Sequence, residues 1–169
     1  MIQHKIEPAM RDRLFSAKTE IVLLALQQVK EIGNKAYLPL LFELLTANPE
    51  VEIQKEIRNL LANLKDKEAV PVLAEALQEK KYKTIRKDIA TACWQNGLDY
   101  SSFMEVFIDI IIEEEFDTAF EAFTVIENFE HFPPVEVHEK LKIKMAGALR
   151  RASGQKQYLL EELLKMSSD

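Results

Sequence analysis

The sequence predicts an all-α fold: an α-solenoid of about four antiparallel helical hairpins with a capping helix at each end. Three observations predict it. Apolar residues recur at helical spacing along most of the chain. One hairpin, written between Asn48 and Lys80, returns upstream with Pro39 standing 32 residues before Pro71. Gly and Pro are scarce, at 4 and 6 of 169 residues, and no alternating apolar pattern bounded by turns is present.

The reference hairpin reads as follows. Asn48 serves as N-cap and Pro49 as first helical residue, where a missing N–H costs nothing. Ile53, Ile57, Leu60, Leu61 and Leu64 then form one apolar stripe. After the polar turn Lys65-Asp66-Lys67, Ala69-Val70-Pro71-Val72-Leu73 opens a second helix, whose stripe continues through Ala76 and Leu77. Neither helix can hide its stripe alone, so the hairpin needs copies on either side. Upstream, Ile21, Ala25, Val29 and Ile32 answer the first stripe, Leu38, Leu41 and Leu45 answer the second, and Gly33-Asn34 replaces the turn. Downstream, Ile85 and Ile89 answer Ile53 and Ile57. The longer turn Asn96-Gly97-Leu98-Asp99 then slips the register by about two residues before Val106, Phe107, Ile110 and Ile111. A fourth unit carries the stripe Ala119, Phe120, Phe123 and Ile126, breaks at Pro133-Pro134 and resumes as a helix from Val135 to Arg150.

The chain therefore reads as one domain, 1–169, divided into an N-terminal cap (1–16), repeats at 17–48, 49–80, 81–115 and 116–151, and a capping helix at 155–166. Glu7-Pro8 begins the first cap, a short helix to Phe15. Ser153-Gly154 closes the long helix, and Tyr158 to Met166 turns Leu159, Leu160, Leu163 and Leu164 inward. Phe116, Phe120 and Phe123 share one helical face and are assigned to the core.

At the run Asn48-Pro49-Glu50-Val51 and the box Asp66, Ala69, Val70, Pro71, Leu73, the sequence resembles a short bacterial HEAT repeat of the phycobilisome-lyase-like kind. The resemblance spans roughly residues 16–150 and is sharpest in the second unit. It implies a right-handed superhelix whose second helices line an inner, concave surface. It also implies, as an alternative function, an enzyme or enzyme accessory like the HEAT-like bilin lyases, with a small molecule in the groove.

Charge and composition narrow the function classes. A net charge of −6 opposes binding to a nucleic acid. The clusters Lys80, Lys81, Lys83, Arg86, Lys87 and Lys140, Lys142, Lys144, Arg150, Arg151 read as solvated helix faces. The run Val106 to Ile112 is interrupted by Asp109 and is too short to cross a bilayer. The start, Met1 to Lys5, has no signal pattern, and the single cysteine, Cys93, suits a reducing compartment as a small core residue. A soluble, cytoplasmic protein is expected. His4, His131 and His138 lack metal-ligand spacing, and no phosphate loop, nucleophile elbow or cysteine pair occurs. No catalytic residue, cofactor or metal is expected, and the chain is read as a non-enzyme.

The favoured function is a non-catalytic protein–protein interaction scaffold. Register places Glu43, Glu75 and Asp109 at equivalent positions of successive second helices, with Phe42, Ile108 and Ile112 beside them. That strip is expected to be a partly acidic groove with apolar footholds for a basic, amphipathic protein or peptide segment. A pocket near Trp94 with converging polar groups would instead favour the small-molecule alternative. An acidic middle and a basic last long helix also suggest head-to-tail self-association.

Overall fold

The computed structural model describes residues 6–33 and 35–168; His4, Asn34 and the start at Met1 to Lys5, singled out above, lie outside them. Among these residues the secondary structure is helical throughout. The α-helices are α1 (Pro8–Leu14), α2 (Thr19–Ile32), α3 (Leu38–Ala47), α4 (Val51–Ala62), α5 (Ala69–Gln78), α6 (Arg86–Asn96), α7 (Met104–Glu113), α8 (Phe116–Glu127), α9 (Val135–Leu149) and α10 (Gly154–Met166). Short 3-10 turns precede α3, α6 and α7.

The packing follows from where the apolar side chains of each helix must go. The stripe of α4 (Ile53, Ile57, Leu60, Leu61) is buried, and α4 packs against α2 on one side and α6 on the other. α6 in turn packs on α8, so α2, α4, α6 and α8 form one continuous layer. The second helices lie behind it: α3 against α4, α5 against α6, α7 against α8, with α7 also touching α5 and α9. α1 closes the layer on α2, and α10 closes the other end by packing on α8, α9 and α7. One hydrophobic core runs from Met10 to Leu163 through every unit. This is an α-solenoid of stacked hairpins. Pro39 and Pro71 both sit exposed in the first turns of α3 and α5, so the proline that marks the period occupies matching places in neighbouring units.

Helix ends use two devices. α2 and α6 stop at Gly33 and Gly97, whose left-handed φ values of 64° and 68° favour glycine at a helix C-terminus. α4 and α8 stop instead at Asn63 and Asn128, whose side-chain amides each donate 2.7 Å bonds back to the carbonyls of Asn59 and Thr124. Polar ties cross the layer at Arg58–Asp88 (2.6 Å) between α4 and α6, and at Lys87–Asp117 (3.5 Å) between α6 and α8. These are largely exposed and contribute little. The more buried pair is Arg86–Glu114 (2.5 Å), joining the start of α6 to the end of α7.

Three local expectations are corrected. α4 begins at Val51, because Asn48 accepts the Glu50 N–H (2.9 Å) in its own tight turn and caps the end of α3 instead of starting the next helix. Ser153-Gly154 opens α10 where a helix end was expected, with Ser153 at its N-cap and Gly154 as its first residue. Phe120 is 46 % exposed; it stacks on Phe116 and Phe123, but only Phe123 of the three is buried.

The layered core makes a direct stability prediction. Ile57→Ala, in a side chain with no exposure on the helix packed between α2 and α6, should cost about 3 kcal/mol in urea denaturation. Val51→Ser, 75 % exposed nearly two turns earlier on the same helix, should stay within about 0.5 kcal/mol.

Candidate functional site

The strip predicted on the second helices is only partly a surface. Phe42 is 1 % exposed and meets Tyr82 edge-on at 5.5 Å, because the 3-10 turn Lys80–Ile85 folds over α3. Ile108 has no exposure at all. Both belong to the core and offer a partner no foothold. Ile112 is half-buried where α7 meets α9 and α10, in a separate cleft with Ile143 and Leu160. Glu43 is met by Arg11 of α1 at 3.6 Å. Asp109 is met by Lys144 of α9, which also reaches Glu105 at 2.9 Å. Burial pulls the Lys144 ammonium down, but its bonds to Asp109 and Glu105 outweigh that, and the net shift is upward. Glu75 stays exposed between them. The acidic ladder is thus answered at both ends by the chain's own cations.

The structure gathers a different set of residues, at the edge where first helices turn into second ones. The connections there lengthen along the chain, from 33–37 to 63–68 to 97–103. Asn96 anchors the third. It is 3 % exposed, exchanges hydrogen bonds with the Tyr100 hydroxyl (2.9 and 3.2 Å), and accepts the Leu98 N–H at 3.0 Å. The turn held in this way swings Leu98 and Phe103 outward, beside Trp94 of α6, Phe129 after α8 and Pro71 of α5. Together they wall a cleft of about 470 Å³. Trp94 is oriented by its indole N–H, which donates to Glu121 at 2.6 Å. The rim is polar: Lys67, Asp99, Glu130 and His131. The Ser101 backbone N–H and then its hydroxyl hold the Asp99 carboxyl below the usual carboxylate range, with weaker attraction from His131 and Lys67.

A second cleft, of about 400 Å³, opens on the same edge one unit earlier. Its walls are Val29, Tyr37, Leu38, Leu41, Leu60 and Leu64, and Lys30 and Lys35 stand at its mouth. Lys65 and Asp66 line this cleft and Lys67 lines the other, so the turn Lys65-Asp66-Lys67 is the ridge between them.

Sequence reasoning singled out Trp94 and its surroundings only as a condition for the alternative reading. It missed Leu98, Phe103 and Phe129 as a group. The available signal was the register slip at Asn96-Gly97-Leu98-Asp99, since residues inserted into a packed repeat have to emerge somewhere.

Among the described residues, no group of His, Cys, Asp and Glu side chains could hold a metal ion, and no helix is long and apolar enough to cross a membrane. Compared with known families, the profile described as HEAT repeats matches residues 7–93, just over half of the chain. No curated protein matches the chain.

Cys93 lies at the floor of the Trp94 cleft but is 1 % exposed. Burial pushes its thiol up to about 12, against a smaller downward pull from its bond to Tyr100. At pH 8 the folded protein should therefore react with a disulfide reagent at least about a hundredfold more slowly than the unfolded chain. Labelling at the rate of an ordinary exposed thiol would contradict this burial.

Proposed function

Because the chain belongs to the HEAT-repeat family, whose members generally mediate protein–protein interaction, we propose that it is a non-catalytic scaffold that seats an extended segment of a partner protein along its turn edge. The observation that supports this reading is the pair of apolar clefts of similar size on either side of the Lys65-Asp66-Lys67 ridge. An extended segment puts alternate side chains on one face, so one such chain can drop an apolar residue into each cleft and cross the ridge between them. The aromatic walls supply the anchoring contacts, and the mixed charges of the rim (Lys65, Lys67, Asp66, Asp99) set register and direction.

The mixed polar and aromatic lining of the Trp94 cleft also favours a second reading. Asp99 and His131 stand over its aromatic walls, a combination suited to a small organic ligand with one charged group. Native mass spectrometry of the protein purified from its own cells distinguishes the two. A constant added mass of a few hundred daltons, lost on unfolding, favours the small molecule.

The scaffold reading is tested by site-specific photo-cross-linking in cells. A cross-linking residue at exposed Lys67 should capture a partner protein, whereas one at Leu24, exposed on α2, should not. Adding Leu98→Asp should lower the Lys67 capture at least about fivefold while the circular dichroism spectrum is unchanged. Equal capture from both positions, or capture indifferent to Leu98→Asp, would overturn the assignment.

A further inference from the structure

Away from the turn edge, the charge of the chain is segregated. From Lys140 to Lys156 there are six cations and no carboxylate; taking those six from the net charge of −6 leaves −12 on the rest. This basic segment forms most of α9 and the start of α10, and it lines the cleft that the half-buried Ile112 enters. The cleft has a volume of about 700 Å³ and is floored by Ala148, Ala152 and Leu160. Lys156 donates to the Ile112 carbonyl at 2.6 Å, which positions it at the end of α7 without neutralising it.

α9 buries only Leu141 and Met145 fully, so one face is left open. Along that face Lys140, Ile143 and Gly147 follow at three- and four-residue spacing over about 11 Å, and Arg151 stands in the turn just past the helix end. Ile143 is 75 % exposed at the centre of that face. Gly147 is unusual. It sits inside the helix, where glycine is less stable than alanine, and a Cβ built there would meet nothing within 4 Å. The fold gains nothing from that glycine. A bare backbone next to an exposed isoleucine and flanked by cations is instead what close approach of another chain requires.

We propose that the α7–α9–α10 cleft is a docking site for an acidic, apolar-studded helical segment of a partner protein. This inference does not rest on the turn-edge reading. The apolar side chains of the segment cover Ile143 and enter the cleft beside Ile112, its backbone closes onto Gly147, and its carboxylates meet Arg151 and Lys156 at the cleft and Lys140 on the exposed face of α9 beyond it. Charge complementarity selects the occupant. Nucleic acid would use the cations and leave Ile143 and the cleft uncovered. A flat anionic bilayer cannot enter the cleft, and would leave Ile112, Ala148 and Leu160 uncovered.

The test uses the full chain and a fluorescein-labelled, helix-favouring peptide with leucines on one face flanked by glutamates, with binding read by anisotropy. We expect micromolar binding that weakens with salt, and at least about tenfold weaker binding when the glutamates are replaced by lysines. Ile143→Ser and Arg151→Glu should each weaken it by about five- to tenfold. Gly147→Ala should also weaken binding while raising the thermal midpoint by about 2–4 °C, a combination that damage to the fold cannot produce. Absence of binding at about 100 µM, or variants that bind like the wild type, would overturn the proposal. So would tighter binding of phosphatidylserine vesicles or a single-stranded DNA oligonucleotide through the same side chains. Self-association in sedimentation that Ile143→Ser abolishes would make a second copy the occupant and overturn it as well.

Discussion

The contact between consecutive first helices is the constraint on which the remaining structure depends. Each of these helices presents a stripe too wide for its own hairpin partner to cover. On α4 the side chains of Ile53, Ile57 and Leu61 are essentially without exposure, and they reach that state only between α2 and α6. Burying such a side chain contributes about 1.5–3 kcal/mol, against at most about 1 kcal/mol for an exposed ion pair. The layer is therefore held by apolar contact between units, and pairs such as Arg58–Asp88 follow the packing without setting it. The same argument explains the ends. A terminal unit has one uncovered side, and α1 and α10 cover those sides on α2 and α8.

A fold held along its layers leaves its edges free to vary. The core fixes the position of Cys93 in α6 at the place Val29 and Leu61 hold in α2 and α4, and all three are buried. It does not fix how the chain travels from α6 to α7. That connection lengthens, Asn96 and Tyr100 hold the extra residues in a defined shape, and Leu98 and Phe103 become cleft walls. Apolar surface built this way adds a site without disturbing the repeat. The open face of α9 arises differently: among the described residues, no further hairpin covers Ile143.

Much of the architecture was legible in the sequence because it depends on local periodicity. The stripes of α4 and α5, the start of α5 at Ala69, the matching prolines and the burial of Cys93 all follow from spacing and from the 32-residue step between Pro39 and Pro71. The site was much less legible. Register identified Glu43, Glu75 and Asp109 as equivalent, but it could not show that Arg11 and Lys144 answer two of them from distant helices. Phe42 and Ile108 were misread because a second helix is covered by more than its own hairpin: Tyr82 reaches Phe42 from the turn after α5, and α7 is enclosed by α5, α8, α9 and α10. Phe120 shows the converse. It shares a stripe with Phe123, yet the layer does not extend far enough to bury it. The turn-edge cleft draws on α5, α6, α8 and three connections, and no single helical period contains it.

The claim that each unit is held by its neighbours is tested most directly by native-state hydrogen exchange resolved to individual amides. Protection should be highest in α4 and α6, which have a first helix on both sides, and should fall toward α1 and α10. Uniform protection along the chain, or a maximum in a terminal helix, would contradict it.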